Sequence, residues 1–260
     1  MTVTGLGIVV TGAAGGIGKA LAARLVAAGA RVVVNDLDTA ATEATSAEIG
    51  AYAVPGDAAS EAGIAALVSA AREHLGRIDI WFANAGVALG HGLYAGESEW
   101  AVSWEVNTMA HVRAARLLVP EWLEGGGGRF VVTASAAGLL TALGTAPYSV
   151  TKHGAVAFAE WLSATYRHRG IVVQAICPQG VQTDMLAPPG PMRDILVGDG
   201  ALTPEDVAEV TWQALQDDRF LILPQPEAGD YYRKRATDTD RWLGGMNKLQ
   251  RYLENAEKSR

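Results

Sequence analysis

Apolar positions along this chain fall into short β-branched runs separated by longer stretches of helical spacing. Gly7–Thr11 reads as a strand that runs into the turn Gly12-Ala13-Ala14-Gly15-Gly16-Ile17-Gly18, and the Ala/Leu-rich pattern behind it reads as a helix stopping near Gly29. Further strands are predicted over Arg31–Val34, Tyr52–Val54, Ile78–Ala83, Phe130–Thr133, Ile171–Ile176 and Phe220–Leu223. Helices are predicted over Thr39–Ile49, from a Ser60 cap to about Leu75, as one long helix from Ser98 to about Leu123, and from Pro147 to Arg167. Thr203-Pro204-Glu205-Asp206 marks another helix start, with a cap, a proline at the first position and two acids. Ile78–Ala83 is apolar without alternation, as a strand buried on both faces requires.

Alternation of strands and helices predicts an α/β fold: one domain, a doubly wound seven-stranded parallel sheet with helices on both faces. Residues 1–224 would form that domain, with a Pro/Gly/Met/Leu-rich lid at 184–203. Residues 225–260 would be a charged, partly helical extension packed on its own domain or on a neighbouring subunit. Such sheets bind ligands at the carboxyl ends of their strands. The segments 12–18, Asp36, Asp57, 84–86, Ser135 and 178–183 all follow predicted strand ends, so the fold would gather them along one edge.

Composition removes other classes. At 260 residues the chain can bury a large core, and its net charge of −7 argues against a nucleic-acid partner or an anionic membrane surface. The single cysteine, Cys177, leaves no internal disulfide and no zinc cluster, and His74, His91, His111, His153 and His168 lack ligand spacing, so no metal is expected. No apolar run reaches the roughly 20 residues of a membrane span. The N-terminus lacks a basic region, so Val3–Val10 reads as a strand rather than a signal peptide and the expected location is the cytoplasm.

Three clusters carry chemistry. Gly12, Gly16 and Gly18 stand at a strand-to-helix turn, where missing side chains let the backbone approach a pyrophosphate and the helix N-terminus favours its charge. Asp36 follows the second strand and can accept hydrogen bonds from ribose hydroxyls. Asp36 and Asp38 would repel a 2′-phosphate, and no Lys or Arg lies in 13–15 or 35–40 to neutralise one. Two unit charges ~4 Å apart interact by about 4 kcal/mol at an effective dielectric constant near 20, which favours NAD over NADP. Finally, Tyr148 and Lys152 stand one helical turn apart on one face, with Ser135 upstream.

Together these features resemble the short-chain dehydrogenase/reductase family in its compact branch, over about residues 5–223. The resemblance implies a Rossmann fold, with the cofactor lying against Gly12, Ala14, Gly15, Gly16, Ile17 and Gly18 and against Asp36 and Leu37. It implies adenine contacts from Asp57 and the Ala58 backbone, and a turn Asn84-Ala85-Gly86 beside the adenosine ribose. Asn107 would hold a water linked to Lys152; taken alone, it could equally bond locally within its helix.

A proton-transfer mechanism follows from charge. A free tyrosine titrates near pH 10, so a Tyr148 base working near neutrality needs its phenolate stabilised by roughly 4 kcal/mol. The Lys152 ammonium and an oxidised nicotinamide are two cations able to supply this. Tyr148 would take the proton of a substrate hydroxyl, Ser135 would hydrogen-bond the substrate oxygen, and Lys152 would also hold the nicotinamide ribose.

The family usually has Pro-Gly after the sixth strand, whereas this chain reads Pro178-Gln179-Gly180-Val181-Gln182-Thr183. Gln179 either points into the substrate site or reflects a shifted turn, and Thr183 still fits a cofactor contact, with Pro178, Gly180 and Val181 beside it. Many relatives close after the seventh strand with a Gly-Gly segment that helps pack tetramers; here the tail with Tyr231, Tyr232 and Trp242 takes its place. A homodimer or homotetramer is expected. Met185, Leu140 and the neighbouring Leu139 and Leu143 favour an apolar secondary alcohol or ketone, steroid-like, aromatic, terpenoid or fatty; His91 either touches substrate or is merely solvated. Competing readings are an epimerase or dehydratase on the same scaffold and a catalytically silent NAD sensor, although sensors typically lose the Tyr or Lys kept here.

Overall fold

The β-branched runs become strands because both of their faces can be covered. In the computed structural model, which describes residues 2–186, 190–198 and 200–258, the strands are β1 (Gly7–Thr11), β2 (Arg31–Asn35), β3 (Tyr52–Ala53), β4 (Ile80–Ala83), β5 (Gly128–Thr133), β6 (Ile171–Ile176) and β7 (Leu221–Ile222). They pair in parallel in the order β3-β2-β1-β4-β5-β6-β7. The chain winds outward from β1 to β3, then returns past β1 to β4 and winds the other way. The loops leaving β1 and β4 therefore flank the switch point where such sheets bind ligands.

Between the strands run α1 (Gly16–Ala27), α2 (Thr39–Ile49), α3 (Glu61–Leu75), α4 (Glu97–Trp104), α5 (Ala110–Glu124), α6 (Ala137–Leu140), α7 (Ala146–Tyr166), α8 (Pro191–Gly198) and α9 (Pro204–Ala214). Alternate strand residues feed two cores. Ile8, Val10, Ile80 and Phe82 pack with Leu21, Leu25, Val207 and Leu215 of the α1/α9 layer. Val9, Trp81 and Phe130 pack with Leu67, Leu118 and Leu162 of the α3/α5/α7 layer. Each such fully buried side chain contributes roughly 1.5–3 kcal/mol.

Capping fixes where the helices begin. Ser60 Oγ accepts from the Gly63 N–H at 3.1 Å. Thr203 Oγ1 accepts from the Asp206 N–H at 3.1 Å while the Asp206 carboxylate accepts from the Thr203 N–H at 2.9 Å, a reciprocal cap. After α1, Gly29 takes φ +87°, a left-handed position that suits glycine.

The expected long helix from Ser98 is not uniform. A π-turn over Glu105–Met109 joins α4 to α5, with Asn107 at its centre. Such a turn widens the ladder and re-aims side chains, a change that apolar spacing does not register. Helix α6 is likewise too short to leave a periodic signature, and β3 and β7 are shorter than expected because edge strands pair on one side only. The expected lid contains α8, and its residues 187–189 and 199 lie outside the described residues.

The tail folds into α10 (Glu227–Thr237) and α11 (Thr239–Lys258). Tyr231, Tyr232 and Trp242 pack against the α3/α5/α7 core, with the Tyr231 and Trp242 rings 6.2 Å apart. Helix α10 lies against α6 and α11 against α8. Among the described residues, no helix is long and apolar enough to cross a membrane, and no three His, Cys, Asp or Glu side chains converge as metal ligands would.

Candidate active site

The glycine turn after β1 is shaped by close approaches. Gly12 takes φ +63°, and a Cβ there would lie 2.7 Å from the Ala85 Cα. A Cβ on Gly18 would lie 2.1 Å from the Gly12 carbonyl oxygen, which no side chain survives. Gly16 takes φ +52° and faces Thr183 across the site, so the turn after β1 meets the turn after β6. Gly15 is exposed with open space where a Cβ would stand. A backbone cradle of this form at the head of α1 fits a dinucleotide pyrophosphate.

Side chains lock the cradle to its neighbours. Asn84 donates to the carbonyls of Thr11 at 2.9 Å and Gly12 at 3.0 Å. The Thr11 hydroxyl accepts from the N–H groups of Asn84 and Ala85, both at 3.0 Å, and donates to Phe82 O. Asp36 is half-buried and accepts from the N–H groups of Ala14 at 3.1 Å and Leu37 at 2.8 Å. A carboxylate has about four acceptor sites, so ribose hydroxyls can still be bound. Asp57 accepts from Ala59 N–H at 2.7 Å and Ser60 N–H at 3.2 Å. Bonding to Ser60, then to the Ala59 backbone, holds the Asp57 carboxyl below its ordinary range against the cost of burial. Ala58 is buried beside it, and Leu37 is 73 % exposed.

Ser135, Tyr148, Lys152 and Asn107 converge next to this cradle. Ser135 follows β5, and its Oγ accepts from the Ala137 N–H at 3.1 Å. Lys152 is buried, and its Nζ donates to the Thr133 carbonyl at 2.8 Å and stands 5.7 Å from the Tyr148 ring centroid. A Cβ on Gly86 would lie 3.2 Å from Asn107 Oδ1 and 3.3 Å from Lys152 Nζ, so these three residues form one cluster. The Asn107 side chain accepts from the Val87 N–H at 2.9 Å and donates to the Val87 carbonyl at 2.9 Å and to Thr151 Oγ1 at 3.0 Å. Its carboxamide is thus a bracket between the β4 loop and α7.

Burial decides the charge states. It pushes the Tyr148 phenol above its ordinary value, while the Ser135 hydroxyl pulls it back. It also brings the Lys152 ammonium down to about 8, which leaves Lys152 mostly protonated at neutral pH. Among the protein's own groups, desolvation of the phenolate thus outweighs the nearby partners of Tyr148.

The sequence of the chain matches the short chain dehydrogenase family profile over residues 7–194. The chain belongs to that family. Among similar proteins, 1-deoxy-11-beta-hydroxypentalenate dehydrogenase of Streptomyces exfoliatus is 38% identical over 237 residues, covering 85% of this chain and 83% of that protein. The 2-dehydro-3-deoxy-L-rhamnonate dehydrogenase (NAD(+)) of Sphingomonas sp. is 33% identical, covering 68% of this chain and 73% of that protein. A short chain dehydrogenase/reductase from Burkholderia phymatum, solved in complex with NAD, superposes with a TM-score of 0.84 at 29% identity, covering 92% of this chain and 96% of that one. The protein is accordingly a short-chain oxidoreductase with the family's single-domain Rossmann architecture.

Substrate-side residues are less tightly gathered than the rest of this short-chain dehydrogenase site. Leu140 is buried at the end of α6, whereas Met185 is 48 % exposed. His91 is exposed, yet its loop is tied to the approach to Tyr148 by a 2.8 Å bond from the Gly92 N–H to the Gly144 carbonyl. Gln179 is half-buried in the turn after β6. Next to it, a Cβ on Gly180 would lie 2.7 Å from the Leu196 carbonyl of α8, so glycine is needed one position later than in the family pattern. Sequence reasoning missed Thr11, Thr151, Gln225 and Arg235. The first two are small hydroxyls without a motif; the last two lie in the tail, far along the chain from the loops they bind.

Proposed function

We propose that the protein is an NAD-dependent oxidoreductase that interconverts an apolar secondary alcohol and its ketone. The observation carrying this reading is the convergence of Ser135, Tyr148 and buried Lys152 beside a glycine cradle that side chains would block. Bound NAD supplies a hydride acceptor. Tyr148 takes the hydroxyl proton during oxidation and returns it during reduction. Ser135 orients the substrate oxygen and stabilises charge developing on it. Lys152, held by the Thr133 carbonyl, keeps donors free for a ribose hydroxyl and lowers the cost of the phenolate. Asn107 holds the β4 loop and α7 in register around Lys152.

Cofactor choice is read from Asp36 and from the lack of Lys or Arg in the sequence at 13–15 and 35–40, and it agrees with the NAD named for the Sphingomonas relative and the Burkholderia structure. The hydroxypentalenate named for the Streptomyces relative supports a hydroxylated, largely hydrocarbon substrate. In this reading residues 1–224 are the catalytic domain, 225–260 an extension, and the enzyme is a cytoplasmic homo-oligomer. Exposed Val102, Trp104, Leu117, Val150 and Trp161 on α4, α5 and α7 support a dimer through those helices.

The test is to titrate the protein with NAD and NADP, each with a panel of apolar secondary alcohols, following NADH fluorescence. NAD turnover with little NADP turnover is expected. Asp36→Arg should weaken NAD by about tenfold or more and admit NADP; unchanged preference would remove Asp36 from its role.

A further inference from the structure

Two side chains of the C-terminal extension reach back to the backbone of two different site loops. Gln225 is buried, and its Oε1 accepts from the Gln179 N–H at 3.0 Å while its Nε2 donates to the Gly180 carbonyl at 2.9 Å. One carboxamide thus satisfies a donor and an acceptor of the turn after β6. This is the turn that faces Gly16 through Thr183 and packs on α8 through Gly180.

Arg235, on α10, acts on the other loop. Its Nη1 donates to the Leu139 carbonyl and stands 3.1 Å from His153 Nε2. His153 Nδ1 lies 2.8 Å from the Ser149 carbonyl, which requires a proton on Nδ1 and leaves Nε2 to accept from Arg235. Ser149 Oγ in turn holds Ala142 twice, accepting from its N–H at 2.9 Å and donating to its carbonyl at 3.0 Å. The bonds run from Arg235 through His153 and Ser149 to Ala142, and with Leu139 they fix both ends of a segment lying between Ser135 and Tyr148. Inside that segment Thr141 takes φ +68°, which a β-branched residue keeps only when its surroundings hold it.

We propose that the extension carries two separable positioning clips: Gln225 sets the cofactor-side turn at 178–180, and Arg235 sets the substrate-side segment at 139–142. Neither residue touches a reacting group. The functional consequence rests on the oxidoreductase reading; the clips themselves rest on the bonds above.

Hydrogen–deuterium exchange and NADH fluorescence titration on the full chain test this, in the wild type, Gln225→Met, Arg235→Met and Arg235→Lys. The methionines keep the apolar stem and remove the polar bonds. Gln225→Met should speed exchange about tenfold at 179–182 and weaken NADH about tenfold, leaving 140–142 protected. Arg235→Met should speed exchange about tenfold at 140–142 and leave NADH affinity within about twofold. Arg235→Lys, which keeps a donor for the Leu139 carbonyl, should recover much of that protection. Exchange that rises throughout the chain, or in neither segment, overturns the proposal, as does an Arg235→Met enzyme that loses NADH as badly as Gln225→Met. If the wild type binds no NADH, the cofactor reading falls while the exchange pattern still decides the clips.

Discussion

On the cofactor side of the site, backbone meets backbone: Gly12 approaches Ala85 and Gly18 approaches the Gly12 carbonyl, while Gly16 faces the Thr183 side chain. On the substrate side, side chains hold the backbone: Ser149 grips Ala142 from the neighbouring helix, and Arg235 grips Leu139 from the tail. The first kind of construction permits almost no variation, because a single Cβ destroys it. The second leaves more room for change, because a segment held by side-chain bonds can shift without a backbone clash.

The sharpest way to break the cofactor side is one methyl group. Gly18→Ala would place a Cβ 2.1 Å from the Gly12 carbonyl oxygen. We expect NADH affinity to fall at least about 100-fold and stability to fall by roughly 2–3 kcal/mol, read by fluorescence titration and urea unfolding. An alanine enzyme that binds NADH normally would mean the turn has room that its geometry denies.

Lys152 sharpens the comparison from the other direction, since its charge costs stability where the proposed proton transfer needs it. Its folded value of about 8 lies below the ordinary 10.5. Between those two pH values the unfolded chain holds a proton that the folded chain has released, so stability rises with pH across that window and the penalty is full below pH 8. Lys152→Met should therefore stabilise the protein at pH 7 by about 2 kcal/mol while ending turnover. Urea unfolding at pH 7 and pH 10 checks this, with the gap between variant and wild type narrowing at the higher pH.

An effect on stability alone is expected at the buried His111, one turn beyond Asn107. Burial, assisted by the Lys152 charge, holds His111 down to about 3. Below its ordinary 6.5 the unfolded chain takes up a proton that the folded chain refuses, so stability is lost as pH falls from 6.5 toward 3. Between pH 7 and pH 4.5 the wild type should lose about 2 kcal/mol more than His111→Gln; parallel pH profiles would contradict that assignment.

Legibility in the sequence divides along the same line. Strand runs, the Ser60 and Thr203 caps and the glycine spacing leave local marks, so the sheet and the cofactor turn could be read from residue order. Tyr148 and Lys152 share one helix, and their pairing is local as well. The π-turn around Asn107 left no mark, because widening one helical turn changes no apolar position enough to notice. Gln225 and Arg235 could not have been found, since a brace from the tail to a loop 45 or 96 positions away has no period and no motif. The upward pull of burial on the Tyr148 phenol left no mark either, because it depends on how deeply the phenol sits in the fold.

The central claim is that Tyr148 moves the proton while the glycine cradle binds the cofactor independently of it. Tyr148→Phe removes one oxygen and leaves the ring in place, so NADH titration and steady-state turnover on the same preparation test the claim together. The account predicts NADH affinity within about twofold of the wild type and turnover reduced by roughly 100-fold or more. Turnover that survives unchanged in Tyr148→Phe would contradict it.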